Sequence, residues 1–232
     1  MTESGDFKAS TSTHFLLLVR GSIAQEGREL SPVRAVPYRL KSLEVKFLKE
    51  FVARPTTTGA IAPSSGFLAR RIVEDLELET AEAVLEYGAG TGAFTDLILR
   101  QLKPTAKFAA IELNPQFAEL FKARYPRVQL FQDTVANARS ICDRAGMQSV
   151  DCIVSGLPWA AFPVSMQLKF LDEMMRVLKP GGRFVTFAYV HGLVLPPARR
   201  FAKLLPNYFT SVSRSSVVWL NLPPAFVYRC LR

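Results

Sequence analysis

A carboxylate followed by three alternating glycines, Glu86-Tyr87-Gly88-Ala89-Gly90-Thr91-Gly92, is the stretch of this 232-residue chain best suited to hold a small ligand. Apolar Val84 and Leu85 precede it, and a helical spacing of Phe94, Leu97, Ile98 and Leu102 follows, so it reads as a strand-to-helix turn. Glycines at alternate positions let the backbone turn sharply and leave bare main chain for a ligand to lie against. A dinucleotide fingerprint would read G-x-G-x-x-G, with its third glycine one position later. Twenty residues past Gly92, a second strand-like run (107–112) ends in Glu112, where a carboxylate is placed to accept hydrogen bonds from ribose hydroxyls. A third run, 128–133, ends in Asp133. The chemistry on offer is recognition of a nucleoside-bearing cofactor.

Five strand-like runs must position these residues. Residues 150–159 (VDCIVSGLPW) form a fourth buried strand opening into a loop, and residues 178–185 carry a helix stop, a Gly-Gly turn and a fifth strand. Helices are expected near 66–76, 94–103, 115–124, 135–145, 164–178 and 197–205, with two closing strands near 211–220 and 225–231 joined by Leu222-Pro223-Pro224. Strand–helix alternation predicts an α/β fold, a parallel sheet covered by helices on both faces. Residues 1–34 are Ser/Thr-rich and poorly periodic, which predicts a flexible segment ahead of one domain spanning 35–232. Residues 38–54 read as a helix with Leu40, Leu43, Phe47 and Phe51 on one stripe; Arg39, Lys46 and Lys49 lie opposite, and Glu44 intrudes at the edge. That stripe fits core packing and an interfacial helix on a bilayer equally well. Next, Thr58, Gly59 and Ser64 precede the 66–76 helix as small or hydroxylic residues suited to an anion-friendly helix start.

The spacing E-x-G-x-G-x-G, with strand-end acids and an L-K-P-G-G turn, resembles the class I S-adenosylmethionine (SAM) methyltransferases. The resemblance implies a seven-stranded, mostly parallel Rossmann-like sheet with one antiparallel strand. It also implies a SAM site built from Glu86, Gly88, Ala89, Gly90, Gly92, Glu112, Leu113, Asp133, Thr134, Ser155 and Gly156, with Thr58, Gly59 and Ser64 nearby. The glycine loop would pass under the methionine and ribose, and Asp133 would face the adenine amino group. T-T-T-G-A-I-A-P-S-S (56–65) together with S-G-L-P-W (155–159) is similar to the bacterial phospholipid and ornithine-lipid N-methyltransferases, over roughly residues 38–232. That family methylates lipid amines at the cytoplasmic membrane face. Leu157, Pro158 and Trp159 would then meet the substrate. Trp159 has two readings, a ring facing the ammonium or a cap on the core. Tyr38, Tyr189 and His191 are the candidates for accepting the amine proton, against a packing role for each.

The alternative of the same architecture is an rRNA adenine N6-dimethyltransferase. Enzymes acting on an aromatic exocyclic amine usually carry Asn or Asp before L-P or P-P, whereas this chain has Ser155-Gly156. An aliphatic amine needs no such acceptor, because its lone pair is localised once the proton leaves. The strands that close the sequence also leave no place for a C-terminal RNA-binding helical domain, so no nucleic-acid partner is expected.

Charge points the same way. The net +9 arises entirely after Glu173, where nine bases and no acid remain. A localised basic surface suits a polyanionic partner, here an anionic membrane met by Lys46, Phe47, Phe51, Arg199, Arg200 and Lys203. The apolar run 15–19 is too short for a signal-peptide core and lacks a basic lead. The expected location is therefore cytoplasmic, peripheral on the inner membrane face. Three cysteines and two histidines without ligand spacing suggest no metal.

Overall fold

The computed structural model describes residues 65–232; the expected 38–54 helix and site residues Tyr38, Lys46, Phe47, Phe51, Thr58, Gly59 and Ser64 lie outside them. The elements in chain order are α1 (Gly66–Val73), β1 (Ala83–Tyr87), α2 (Thr95–Gln101), β2 (Lys107–Ile111), α3 (Pro115–Arg124), β3 (Gln129–Phe131), α4 (Ala138–Arg144), β4 (Val150–Ser155), α5 (Val164–Met175), β5 (Leu178–Tyr189), α6 (Pro196–Leu204), β6 (Ser211–Arg214) and β7 (Ala225–Leu231). They build one seven-stranded sheet in the order β3-β2-β1-β4-β5-β7-β6. Only β7 runs antiparallel to its neighbours.

β1 and β4 sit at the centre, and all five residues of β1 are buried, as a parallel strand covered on both faces requires. On one face, Val84, Val154, Val185 and Val227 pack under Leu68 and Ile72 of α1 and Ile98 of α2. On the other, the rings of Trp159, Phe170, Phe184 and Phe201 interlock beneath α5 and α6. Helix starts follow local chemistry. Asn114 accepts from the Gln116 and Phe117 amides ahead of Pro115 at the first turn of α3, and Ser65 caps α1 through the Leu68 amide.

Three boundaries differ from the sequence expectation. α1 stops at Val73 rather than Leu76 because the Arg229 guanidinium takes the Arg71 carbonyl (3.0 Å) and the Glu74 carboxylate (2.8 Å), ending the turn there. β6 stops at Arg214 rather than near 220. The Ser215 hydroxyl accepts the Val227 amide (3.0 Å), and the pairing resumes only as the isolated bridge Val218–Ala225, one residue out of register. β5 begins at Leu178, where α5 was expected to continue; Leu178 pairs with Val150 and Arg183 with Cys152, so residues 179–182 bulge out of the ladder.

Parallel order runs outward from β1 toward β2 on one side and β4 on the other. The crevice at the carboxyl ends of these strands is where an open α/β sheet binds its ligand.

Candidate functional site

The site residues within the described region gather on that edge. Glu86, Gly88, Ala89, Gly90 and Gly92 end β1, Glu112 and Leu113 follow β2, Asp133 and Thr134 follow β3, residues 155–159 leave β4, and Tyr189 and His191 end β5.

Main-chain hydrogen bonds clip the glycine loop in place. The amides of Gly88 and Ala89 both donate to the Ile111 carbonyl (2.8 and 3.2 Å), and Gly92 donates to Ala89 (2.9 Å). Gly88, Gly90 and Gly92 all have left-handed backbones, with φ of 67°, 56° and 86°. Their surroundings differ. A side chain at Gly88 would strike Leu157 (2.6 Å) and one at Gly92 the Tyr125 ring (2.2 Å), whereas a Cβ at Gly90 meets nothing within 4 Å. Packing against a ring therefore demands Gly92, while Gly88 is held to glycine mainly by its left-handed backbone, since the end of the Leu157 side chain can move. Gly90 instead presents bare main chain to open space, a cradle of the kind the expected cofactor needs.

Glu112 braces that cradle. Its carboxylate accepts the Gly90 amide (2.7 Å) and the Asn114 amide (2.8 Å), and it is 8 % exposed. Burial raises its pKa while the amides of Asn114, Gly90 and Leu113 oppose the rise. Each oxygen keeps a lone pair for a ribose hydroxyl.

Glu86 lies deeper, on the α2 face of β1. It is fully buried and accepts from the Thr95 hydroxyl at 2.6 Å through one oxygen, while Oε1 has no partner among the described residues. Burial pushes its pKa up to about 8, against the Thr95 bond, and the neighbouring Glu112 adds to the rise. Two carboxyls lie under one loop, and a cationic ligand such as SAM would favour the ionised form of the one with the unmet oxygen.

Asp133 is already engaged. Oδ1 accepts from the Thr134 amide (2.8 Å) and Asn137 Nδ2 (2.9 Å), and Oδ2 pairs with Arg144 at 3.1 Å. An adenine amino group would share Oδ2 with that guanidinium. Thr134 spends its hydroxyl on the Ala136 amide.

At the end of β4, the Ser155 hydroxyl turns inward and accepts from Trp159 Nε1 (3.1 Å) and the Leu157 amide (3.3 Å). Gly156 is needed for close approach, since a Cβ there would lie 2.6 Å from the Gly88 carbonyl oxygen. The expectation of a substrate-facing Trp159 is corrected. The side chain is 2 % exposed, with Phe201 stacked on it at 4.7 Å and Phe162, Phe170 and Phe184 at its edges. No ring face is left for an ammonium, so Trp159 shapes the loop from within. Leu157 and Pro158 remain partly exposed at the crevice.

Tyr189 is half-buried against Phe187 and stacks on exposed His191 (5.6 Å). Burial raises its pKa, which makes it a neutral hydroxyl and unsuited to act as a phenolate base. Arg199, Arg200 and Lys203 are exposed on α6, with Arg199 tied to the Leu193 carbonyl at 3.0 Å. Sequence reasoning missed Thr95 and Tyr125. Thr95 stands nine residues after Glu86, the distance from a strand end to the next helix start, and that spacing was the available signal.

Comparison with known proteins agrees with this geometry. A family model described as a methyltransferase domain matches residues 84–182. An ornithine lipid N-methyltransferase from Singulisphaera acidiphila is 31% identical over 187 residues, covering 79% of this chain and 93% of that protein. A probable ribosomal RNA small subunit methyltransferase A from Methanosarcina acetivorans is 28% identical over 147 residues, covering 62% of this chain and 50% of that protein. Among solved structures, an O-methyltransferase of tomaymycin synthesis from Streptomyces achromogenes, in complex with SAM, superposes with a TM-score of 0.57 at 18% identity, covering 80% of this chain and 89% of that one. At that identity the likeness shows the fold.

Proposed function

We infer that this chain, which belongs to the bacterial phospholipid and ornithine-lipid N-methyltransferase family of class I SAM-dependent methyltransferases, methylates the amine of a membrane aminolipid, phosphatidylethanolamine or an ornithine lipid. SAM is the cofactor, and when bound it supplies a methyl group on cationic sulfur.

The observation that carries the aminolipid reading is the inward turn of Ser155. At the corner where adenine methylases offer an amide or carboxylate to the exocyclic amine, this chain has the Ser155 hydroxyl, which is spent on Trp159 and Leu157. An aliphatic amine needs no such acceptor. It needs to arrive neutral, because an alkylammonium of pKa about 10 has no free lone pair. A partly buried crevice at Leu157 and Pro158 would disfavour the ammonium by desolvation, and we take the Tyr189 hydroxyl, which burial keeps protonated, as the candidate hydrogen-bond partner for the amine. Gly90 and Glu112 hold the cofactor side, so positioning is this chain's main contribution to rate. Among the described residues no helix is long and apolar enough to cross a membrane, and the reading places the protein peripherally on the inner membrane face.

Full-length protein with methyl-labelled SAM should transfer label to phosphatidylethanolamine or ornithine lipid in vesicles and leave small-subunit rRNA unlabelled. Label in rRNA adenine with none in lipid would replace this reading with the dimethylase. A further variant tests the cofactor side. Glu112→Ala removes the ribose partner and leaves the part-buried Gly90 amide and the buried Asn114 amide unmet. SAM affinity measured by calorimetry should drop by about 1.5–3 kcal/mol, roughly 10- to 150-fold.

A further inference from the structure

We propose that a short loop between β6 and β7, carrying Trp219, Leu220 and Leu222, inserts into an anionic bilayer and seats the crevice against the membrane; the proposal rests on the aminolipid reading for its purpose.

The loop is built inside out. Val218 is 8 % exposed and bridges to Ala225, and Asn221 is 3 % exposed, yet Trp219, Leu220 and Leu222 between and after them are 69 %, 67 % and 82 % exposed. The polar side chain is the one held inside. Asn221 Oδ1 accepts the Ser65 amide (3.0 Å) and its Nδ2 donates to the Pro223 carbonyl (2.7 Å), while its own amide returns to Val218 (3.2 Å). These bonds fix a turn on which Trp219, Leu220 and Leu222 are exposed among the described residues, with Trp219 and Leu220 at the rim of a groove beside Phe67 and Arg70 of α1. A loop facing water has the reverse arrangement, and clustered exposed apolar side chains mark an interaction surface.

Its place in the fold says what that surface meets. β7 pairs with β5 through Ala225↔Tyr189, and Thr186 is level with Ser155. β5 therefore rises three residues, about 10 Å, past the end of β4 before the loop begins. The Val190 amide donates to the Pro224 carbonyl (2.9 Å), which sets the loop beside the turn carrying Val194 and Leu195, 68 % and 48 % exposed. This apolar wall stands at the same end of the sheet as the glycine loop and residues 156–158, because β7 starts where β5 ends. Directly after Leu195, α6 presents Arg199, Arg200 and Lys203, in a stretch without a single acid after Glu173. Apolar tips behind which cations wait suit an anionic lipid surface, with acyl chains for the tips and phosphates for the bases. A second copy of the same rim would set like charges against one another.

The two tryptophans make the test direct, because Trp159 is 2 % exposed and Trp219 is 69 % exposed. Full-length protein is mixed with vesicles of phosphatidylglycerol and phosphatidylcholine, which contain no primary amine, so insertion is read without the substrate. Tail-brominated lipids should quench and the bilayer should blue-shift Trp219, while its quenching by aqueous iodide falls severalfold. Trp219→Ser with Leu220→Ser and Leu222→Ser should weaken vesicle binding at least tenfold with SAM affinity unchanged. Quenching equal to that in plain lipid, absence of vesicle binding, or wild-type binding by a folded triple variant would each overturn the proposal; bromine quenching of the unaltered protein decides if the variant does not fold. Insertion without methylation of aminolipid vesicles would refute the substrate reading and leave the docking loop standing.

Discussion

Gly90→Val should abolish measurable SAM binding, a loss of at least 100-fold, in a protein that still folds. The two halves of that expectation have separate causes. Among the described residues a Cβ at Gly90 meets nothing within 4 Å, so the added side chain starts into open space rather than into the core. The cost to the fold is the left-handed backbone, φ 56°, which a branched residue adopts at roughly 1–2 kcal/mol. A melting shift of a few degrees follows. For the ligand the same open space is the seat, and filling it removes main-chain contact altogether. Substitutions at the flanking glycines should divide differently. Gly92→Ala drives its Cβ to 2.2 Å from the Tyr125 ring and Gly88→Ala to 2.6 Å from Leu157, so both should lower stability as well as affinity. Calorimetric titration with SAM alongside thermal melts separates the cases. A folded Gly90→Val protein that binds SAM as the parent does would remove the loop from the site.

The legible part of the molecule was the part where local chemistry and global fold agree. A buried parallel strand is an apolar run, its glycine exit is a short motif, and strand-end acids recur at one place in each unit. β1 through β5 and the helices between them could therefore be placed from spacing, and the α3 bounds of 115–124 coincide with the structure. What escaped notice depends on contacts distant in sequence. The early end of α1 is set by Arg229, more than 150 residues away, and the end of β6 by a serine hydroxyl that replaces one ladder acceptor. Trp159 shows the limit most clearly. Its position after a catalytic-type loop suits an ammonium contact and a core cap alike, and only the stacked ring of Phe201 from α6 decides for the core. Asp133 was legible as a strand-end acid but not as the partner of Arg144, which lies one helix further on. Trp219 and Leu220 read as the tail of a strand and Leu222 as part of its joint to the next, because sequence alone cannot tell an inward Leu from an outward one when Asn221 is the residue turned inside.

The buried Glu86 makes stability itself depend on pH, with a sign that can be worked out. Its pKa in the folded protein is about 8, against an ordinary value of 4.5. Below pH 4.5 both folded and unfolded chains hold the proton, and the folded state keeps its full advantage at this group. As pH rises from there, the unfolded chain releases the proton and the folded one does not, so folding loses about 1.4 kcal/mol per unit until pH reaches roughly 8. The total is on the order of 4–5 kcal/mol. Glu86→Gln should erase this contribution. The variant gains an amide that must find a partner where Oε1 has none, so its absolute stability is a poor readout and the slope is the good one. Denaturant titrations of SAM-free protein between pH 5 and 8 should fall more steeply for the parent than for the variant. A cationic ligand beside this carboxyl favours its ionised form, so SAM binding at pH 7 should release protons, measurable as a buffer-dependent calorimetric heat that Glu86→Gln removes. Parallel stability slopes for the two proteins would mean that Glu86 is ionised in the folded state, and that water reaches the oxygen left without a partner.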